Sequence, residues 1–185
     1  MLAKGLIGID MKSLEVIFEH EHVNRSNVHP NTPLYSNGYL YLVSGYDTGG
    51  QLLKLSEDGS KVTRIWEDSA LDSQMGATIL VEGHIYGSGH KNRNWYCIEF
   101  LTGKVKYSSR ELGRKGNIIF ADDMLYIYSE AGDVALVRPN GERFEIISSF
   151  KLDNGNGEHW AHPVIKNGRL YVRHGNVLNI YNIAG

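Results

Sequence analysis

Four stretches of this chain repeat one pattern of polar and apolar positions: NGYLYL at 37–42, EGHIYG at 82–87, DDMLYI at 122–127 and NGRLYV at 167–172. Each begins with a polar turn pair and one variable residue. Leu or Ile then precedes Tyr. Short apolar stretches such as ATILV and NIIFA stand before the turns. In HIYGSG and MLYIYS the apolar residues do not recur at helical spacing, which argues strands. The stretch before the turn is a first strand, A, and the Tyr phrase opens a second, B. A variable loop (SGYDTGG, SGHKNRN, SEAGD, RHGN) leads to strand C in QLLKL, WYCIEF, VALV and VLNIY. A second turn (SEDGS, LTGK, PNGE) leads to strand D in KVTRIWE, KVKYSS and RFEIISSF. No helix-length amphipathic segment stands out. SALDSQMGA, at 69–77, predicts at most a short helical turn.

The repeated Tyr41, Tyr86, Tyr126 and Tyr171 are separated by 45, 40 and 45 residues. A period of about 40–45 residues is that of a four-stranded propeller blade. The expected fold is therefore all-β: a β-propeller of four-stranded antiparallel blades, about four in this chain. Residues 1–24 supply strands C and D of a first blade. Complete blades occupy 25–69, 70–112 and 113–157, and 158–185 supplies strands A to C of a last one. Either the chain closes alone as a small ring, or it is half of an eight-bladed one. In the second case another copy, or a missing N-terminal half, completes it. The second reading is favoured, because the first piece carries a strand C that a four-bladed closure leaves over.

Composition narrows the function. The net charge of −2 offers no basic field for nucleic acid or anionic membrane. No apolar run approaches the ~18 residues of a spanning helix. The opening MLAKGLIGID lacks the apolar core and cleavage site of a signal peptide, so the expectation is a soluble, unprocessed chain. A single cysteine, Cys97, excludes an internal disulfide, a cysteine zinc site and a CxxC redox pair.

At strand C and its turn, CIEFLTGKVKY (97–107) resembles the repeat signature Ala-x-Asp-x-x-Thr-Gly-x-x-x-Trp of quinoprotein-type propellers. Cys97 takes the small position, Glu99 the acidic one, Thr102-Gly103 the turn and Tyr107 the aromatic. GIDMKSLEVIF matches loosely through Gly8, Asp10 and Phe18. The other copies keep only Asp58-Gly59, and Ala135 with Asn140-Gly141. The pattern is similar to the C-terminal half of exported bacterial PQQ-like propeller proteins. That resemblance implies a periplasmic or secreted scaffold or binding module for protein or glycan. It also implies that the signature is structural, with its aromatic packed between blades. Catalytic members of the family carry PQQ with calcium, a vicinal Cys-Cys pair and a Trp beneath the quinone. This chain has no Cys-Cys pair and no recognisable calcium set, so no cofactor is expected. The alternative reading is an enzyme fragment, either a quinone-dependent dehydrogenase or a glycan-active propeller.

In a propeller the D–A and B–C loops share one face, and residues before strand A ring the axial mouth. Nine positions before the second turn residue stand His29, Gln74, Arg114 and His159; six before it stand Thr32, Ala77, Asn117 and His162. Trp160 adds an aromatic surface. The B–C loops add Tyr46, Asp47, His90, Arg93, Asn94, Trp95, Glu130, Arg173 and His174. EHWAHP (158–163) is the strongest local cluster. His159 and His162 flanking Trp160 fit a sugar or peptide site, or a metal shared with His29. They equally fit structural hydrogen bonding to the next blade. Zinc needs three or four convergent ligands, and nothing in the sequence fixes that convergence, so no metal is expected. HKNRNWY (90–96) is a basic–aromatic cluster of a kind that can hold nucleic acid or glycan; the net charge argues against nucleic acid, and the cluster reads first as a solvated loop, with Trp95 starting strand C.

Overall fold

The structure is a computed structural model that describes residues 1–75 and 78–184. Seventeen strands form five antiparallel sheets among these residues, with no helix. The first sheet has two strands, β1 (Gly5–Ile9) and β2 (Val16–Glu21). Three four-stranded sheets follow in simple meander order. They are β3 (Leu34–Ser36), β4 (Tyr39–Ser44), β5 (Gly49–Leu55) and β6 (Val62–Asp68); β7 (Thr78–Val81), β8 (His84–Ser88), β9 (Trp95–Glu99) and β10 (Val105–Ser109); and β11 (Gly116–Ala121), β12 (Met124–Ser129), β13 (Asp133–Arg138) and β14 (Glu145–Lys151). The last sheet has three strands, β15 (Val164–Lys166), β16 (Arg169–His174) and β17 (Val177–Asn182). This is a β-propeller of four-stranded blades with incomplete sheets at both ends. The described part of SALDSQMGA is irregular rather than helical, because the Asp68 carboxylate accepts the amides of Ala70 and Leu71 (2.8 and 2.9 Å) and holds the chain in a turn.

The A–B turns explain the polar pairs. Asn37, Glu82, Asp122 and Asn167 have φ of 47, 46, 49 and 52°, and the next residues, Gly38, Gly83, Asp123 and Gly168, are also positive. Two successive positive φ values make a type I′ turn, whose twist matches that of a hairpin. Asn, Asp and Gly tolerate that geometry best.

Strand B then alternates. In β4, Leu40 and Leu42 face the first sheet, where Leu42 joins Leu6 and Leu53. Tyr41 and Val43 face the third sheet, packing with Leu52 against Ile85, Ile98 and Phe100. The next contacts repeat this. Tyr86 and Cys97 meet Leu125, Ile127 and Val137, and Tyr128 and Val134 meet Leu170 and Val172. Among the described residues, none of these four apolar clusters joins the fifth sheet to the first.

Every C–D pair contains a bulge at the same place. Ile17, Ile65, Lys106 and Ile147 are skipped in the pairing of strand D. A bulge adds twist and re-aims the extra side chain, so Ile17, Ile65 and Ile147 are exposed apolar residues on outer strands. Gly50 makes room for a side chain of its own sheet, and Gly103 lets two sheets approach. A Cβ on Gly50 would lie 2.2 Å from the Tyr41 hydroxyl, and one on Gly103 would lie 2.7 Å from the Trp66 ring. Trp66 is pinned there by its indole N–H on the Phe100 carbonyl at 3.0 Å, and it tilts against Tyr41 at 5.5 Å.

Tyr41 is fully enclosed and has no room to retreat. Gly50→Ala is therefore expected to lower unfolding stability by about 1–3 kcal/mol, the range for overpacking a filled core. Urea unfolding checks this, and an unchanged midpoint would show that the Tyr41 ring moves freely.

Candidate functional site

The segments that enter strand A converge at one end of the molecule. Eight positions before the second turn residue stand Pro30, Met75, Lys115 and Trp160. Pro30, Met75 and Trp160, with Val28, Tyr46 and Gln74, line an open hollow of ≈ 220 Å³. Trp160 is 56% exposed, yet its backbone is fixed. Asn117 Nδ2 donates to the carbonyls of Trp160 (2.9 Å) and Ala161 (3.3 Å). His162 Nε2 lies 2.9 Å from the Met75 carbonyl, tying the last sheet's entry segment to the third sheet's. A larger hollow of ≈ 780 Å³ lies beside β1 and β2. It follows the free edge of a sheet that stops at two strands, and Lys4, Glu19, His20 and Glu21 are among its lining residues.

Beneath the mouth, Lys115 is buried at the start of the fourth sheet. Its ammonium donates to Gln74 Oε1 and to His90 Nδ1 at 2.7 Å, and it forms an ion pair with Glu130 Oε1 at 3.4 Å. Two acceptors and one carboxylate thus surround the ammonium, and a cation that would be costly alone is paired. Gln74 Nε2 extends the chain to the Tyr46 hydroxyl at 3.0 Å. Burial first, and then the Lys115 charge, push the His90 pKa below the usual histidine value, which suits a neutral ring accepting at Nδ1. Buried Asp72 accepts the His90 amide at 2.7 Å and so fixes the loop that carries it.

A second network links the last two sheets. His159 and His174 stack at 3.7 Å, with 19° between their planes. Tyr128 OH lies 2.6 Å from His159 Nδ1. His174 is buried, with Nδ1 2.6 Å from the Asn154 carbonyl and Nε2 2.9 Å from that of Gly157. Burial, and then His174, lower the His159 pKa. These rings hold loops in place.

The other expected mouth residues scatter. His29 turns away to the Ala3 carbonyl (3.2 Å), and His22 is tilted beside it at 5.7 Å. Arg93 is exposed on its loop, with φ of 59°. Arg173 Nε donates to the Gly175 carbonyl at 2.8 Å. Arg114 is exposed, and its carbonyl rather than its side chain is engaged. Trp95 is a correction: it is enclosed in the core between the third and fourth sheets and donates its indole N–H to Arg114 O at 3.0 Å, so it presents no surface to a ligand. Ala77 lies outside the described residues. Among the described residues, no three His, Cys, Asp or Glu come together in a metal-binding group. Burial pushes the Cys97 thiol up to about 11, away from the reactive range.

Of the nine-back residues, Gln74 lines the hollow and His159 is engaged with Tyr128 and His174. Of the eight-back residues, Pro30, Met75 and Trp160 line it, and Lys115 is buried beneath. Counting nine and six positions back passes over Met75 and Lys115. The chemical disparity of Pro30, Met75, Lys115 and Trp160, set against the uniformity of the Tyr positions, is the signal that identifies them.

No protein-family model matches this sequence, and no curated protein does. Solved structures share its fold. BamB from Moraxella catarrhalis superposes with a TM-score of 0.66 at 16% identity, over 93% of this chain and 49% of its own. The computationally designed Ika4 protein gives 0.58 at 10% identity, over 85% of this chain and 94% of its own. Myxococcus xanthus glutaminyl cyclase gives 0.53 at 12% identity, over 86% of this chain and 68% of its own. This chain therefore spans about half the length of BamB. At these identities the likeness concerns the fold.

His22 is 2% exposed, and neither ring nitrogen has a partner. Burial, with His29 and His20 nearby, lowers its pKa from 6.5 to about 4. A depressed histidine pKa means that the unfolded chain takes the proton first. Its stability contribution is thus complete above pH 6.5 and is lost as pH falls towards 4, by on the order of 2–3 kcal/mol. His22→Leu is expected to retain stability at neutral pH and to flatten this acid loss. Unfolding midpoints measured across that window check it, and parallel pH profiles would refute it.

Proposed function

We propose that this chain is a non-catalytic propeller binding module that docks a protein segment at the mouth formed by its D–A and B–C loops. One observation carries the reading: Trp160 stands half-exposed on a backbone fixed by Asn117 and His162, beside a hollow also lined by Val28, Pro30 and Met75. A large aromatic that is already ordered loses little entropy on binding, which is why such residues dominate interfaces. The apolar lining favours a hydrophobic side chain of a peptide over a glycan, which asks for more donors and acceptors. The titratable groups nearby support binding over chemistry. Lys115, His90 and His159 are engaged with neighbouring side chains, and His174 with backbone carbonyls.

With a chain of about half BamB's length, further blades complete the rim, from a second copy or from an N-terminal half. An exported, periplasmic or secreted setting goes with this reading on the strength of the repeat signature. Among the described residues, no helix is long and apolar enough to cross a membrane.

Peptides selected from a random library against the purified protein test the docking site. Binding is expected to depend on an apolar anchor and to weaken at least tenfold in Trp160→Ala and Met75→Glu, with unchanged melting. Selected peptides that bind these variants equally well, or binders found only among glycans, would sink the proposal.

A further inference from the structure

The four cross-strand pairs built on the repeated Tyr are Tyr41–Leu52, Tyr86–Cys97, Tyr126–Leu136 and Tyr171–Ile180. Each lies on the face that a blade turns to its successor. Leu52 and Cys97 are 0% exposed there, whereas Ile180 is 52% exposed. On the same face Val164 pairs with Tyr171, and Leu178 pairs with Arg173, so the last sheet ends in a bare apolar surface. Its charges are all basic: Lys166, Arg169 and Arg173.

The first sheet offers the opposite face, the one a blade turns to its predecessor. Leu6 on the inner side is buried against the second sheet. On the outer side, Ile7 pairs with Glu19 and Gly5 with Glu21, and Ile9 is exposed alongside. Its charges are acidic. Glu19 and Glu21 are exposed, and neither they nor Lys166, Arg169 and Arg173 belong to an ion pair among the described residues.

We propose that these two end faces form one blade-to-blade contact between two copies of this chain. The last sheet of each copy packs on the first sheet of the other, and the two contacts close a ring with two-fold symmetry that holds ten sheets, five from each copy, in place of the eight blades expected from the sequence. Three properties match. Both faces are apolar at their centres, their charges are opposite, and their directions are those of the internal contacts, successor face on predecessor face. The last strand of the fifth sheet and the first strand of the first sheet are also free edges, which a neighbouring copy shields. A head-to-tail contact that closes avoids filaments. This inference deepens the completed-rim reading above, and its readout, mass, is independent of peptide docking.

Light scattering tests it. The protein is expected at twice the chain mass of 20.8 kDa. The double variants Lys166→Glu/Arg169→Glu and Glu19→Lys/Glu21→Lys each place like charges across the contact, and each is expected to fall to the single-chain mass with an intact cooperative melt. Mixing the two restores opposite charges at both contacts, so the double mass is expected to return. A single-chain mass for the unaltered protein, a pair indifferent to either reversal, or a mixture that stays monomeric would each overturn the proposal. Trp160→Ala leaves the mass unchanged, so loss of docking and loss of pairing are distinguished.

Discussion

Every sheet here has two faces, and each face needs a neighbour. The alternation of strand B meets this demand. Leu or Ile at one position packs backward, and Tyr at the next packs forward, so one dipeptide serves two interfaces. Leu42 meets Leu6 while Tyr41 meets the third sheet, and both are enclosed. The rest follows from that contact. Gly50 lacks a side chain because Tyr41 lies over it, and Gly103 lacks one because Trp66 does. Polar stitches act at the inner ends of the same interfaces. Ser88 Oγ lies within 3.0–3.1 Å of the Gly116 amide and carbonyl, and Asn31 Nδ2 donates to the carbonyls of Val43 and Ser73 at 3.1 and 2.7 Å.

The repeat was legible because blade packing imposes it at every period. Tyr spacing gave the period, the polar pairs gave the turns, and strand order followed from the number of apolar runs between turns. Bulges were not legible. The skipped residue of strand D is Ile, Ile, Lys and Ile, ordinary strand residues whose role is set by pairing rather than by type. The repeated Tyr are not equally buried: Tyr41 and Tyr86 are enclosed, whereas Tyr126, which meets the three-stranded fifth sheet, and Tyr171, on the last face, are partly covered. Trp95 misled because its loop is basic and aromatic, while its own position is the first of a strand facing the core.

The mouth was half legible for a related reason. Counting back from a turn locates a residue along the chain but not the direction of its side chain in an irregular segment. Gln74 and Met75 are neighbours; one turns to Lys115 and Tyr46, and both border the hollow. Lys115 could not be placed from sequence, since a lone lysine reads as solvated. It is buried because Gln74, His90 and Glu130, from three different loops, meet it at once. Such convergence is a tertiary fact.

In a repeat array, stability is the sum of unit and neighbour terms, so an end sheet with one neighbour is the weakest part. The fifth sheet compensates on its inner side. Leu170 and Val172 are buried against the fourth sheet, and Tyr181 packs on Phe150 at 4.8 Å. His174 binds the carbonyls of Asn154 and Gly157, in the segment that enters the sheet. Trp160 is held by Asn117, and His162 by Met75, both reaching back to earlier sheets. None of these contacts uses the bare face of Tyr171, Leu178 and Ile180. The mouth is thus formed by interactions internal to one chain, whether or not that face is covered. Docking at the mouth and pairing at the ends consequently draw on separate sets of residues in the same fold.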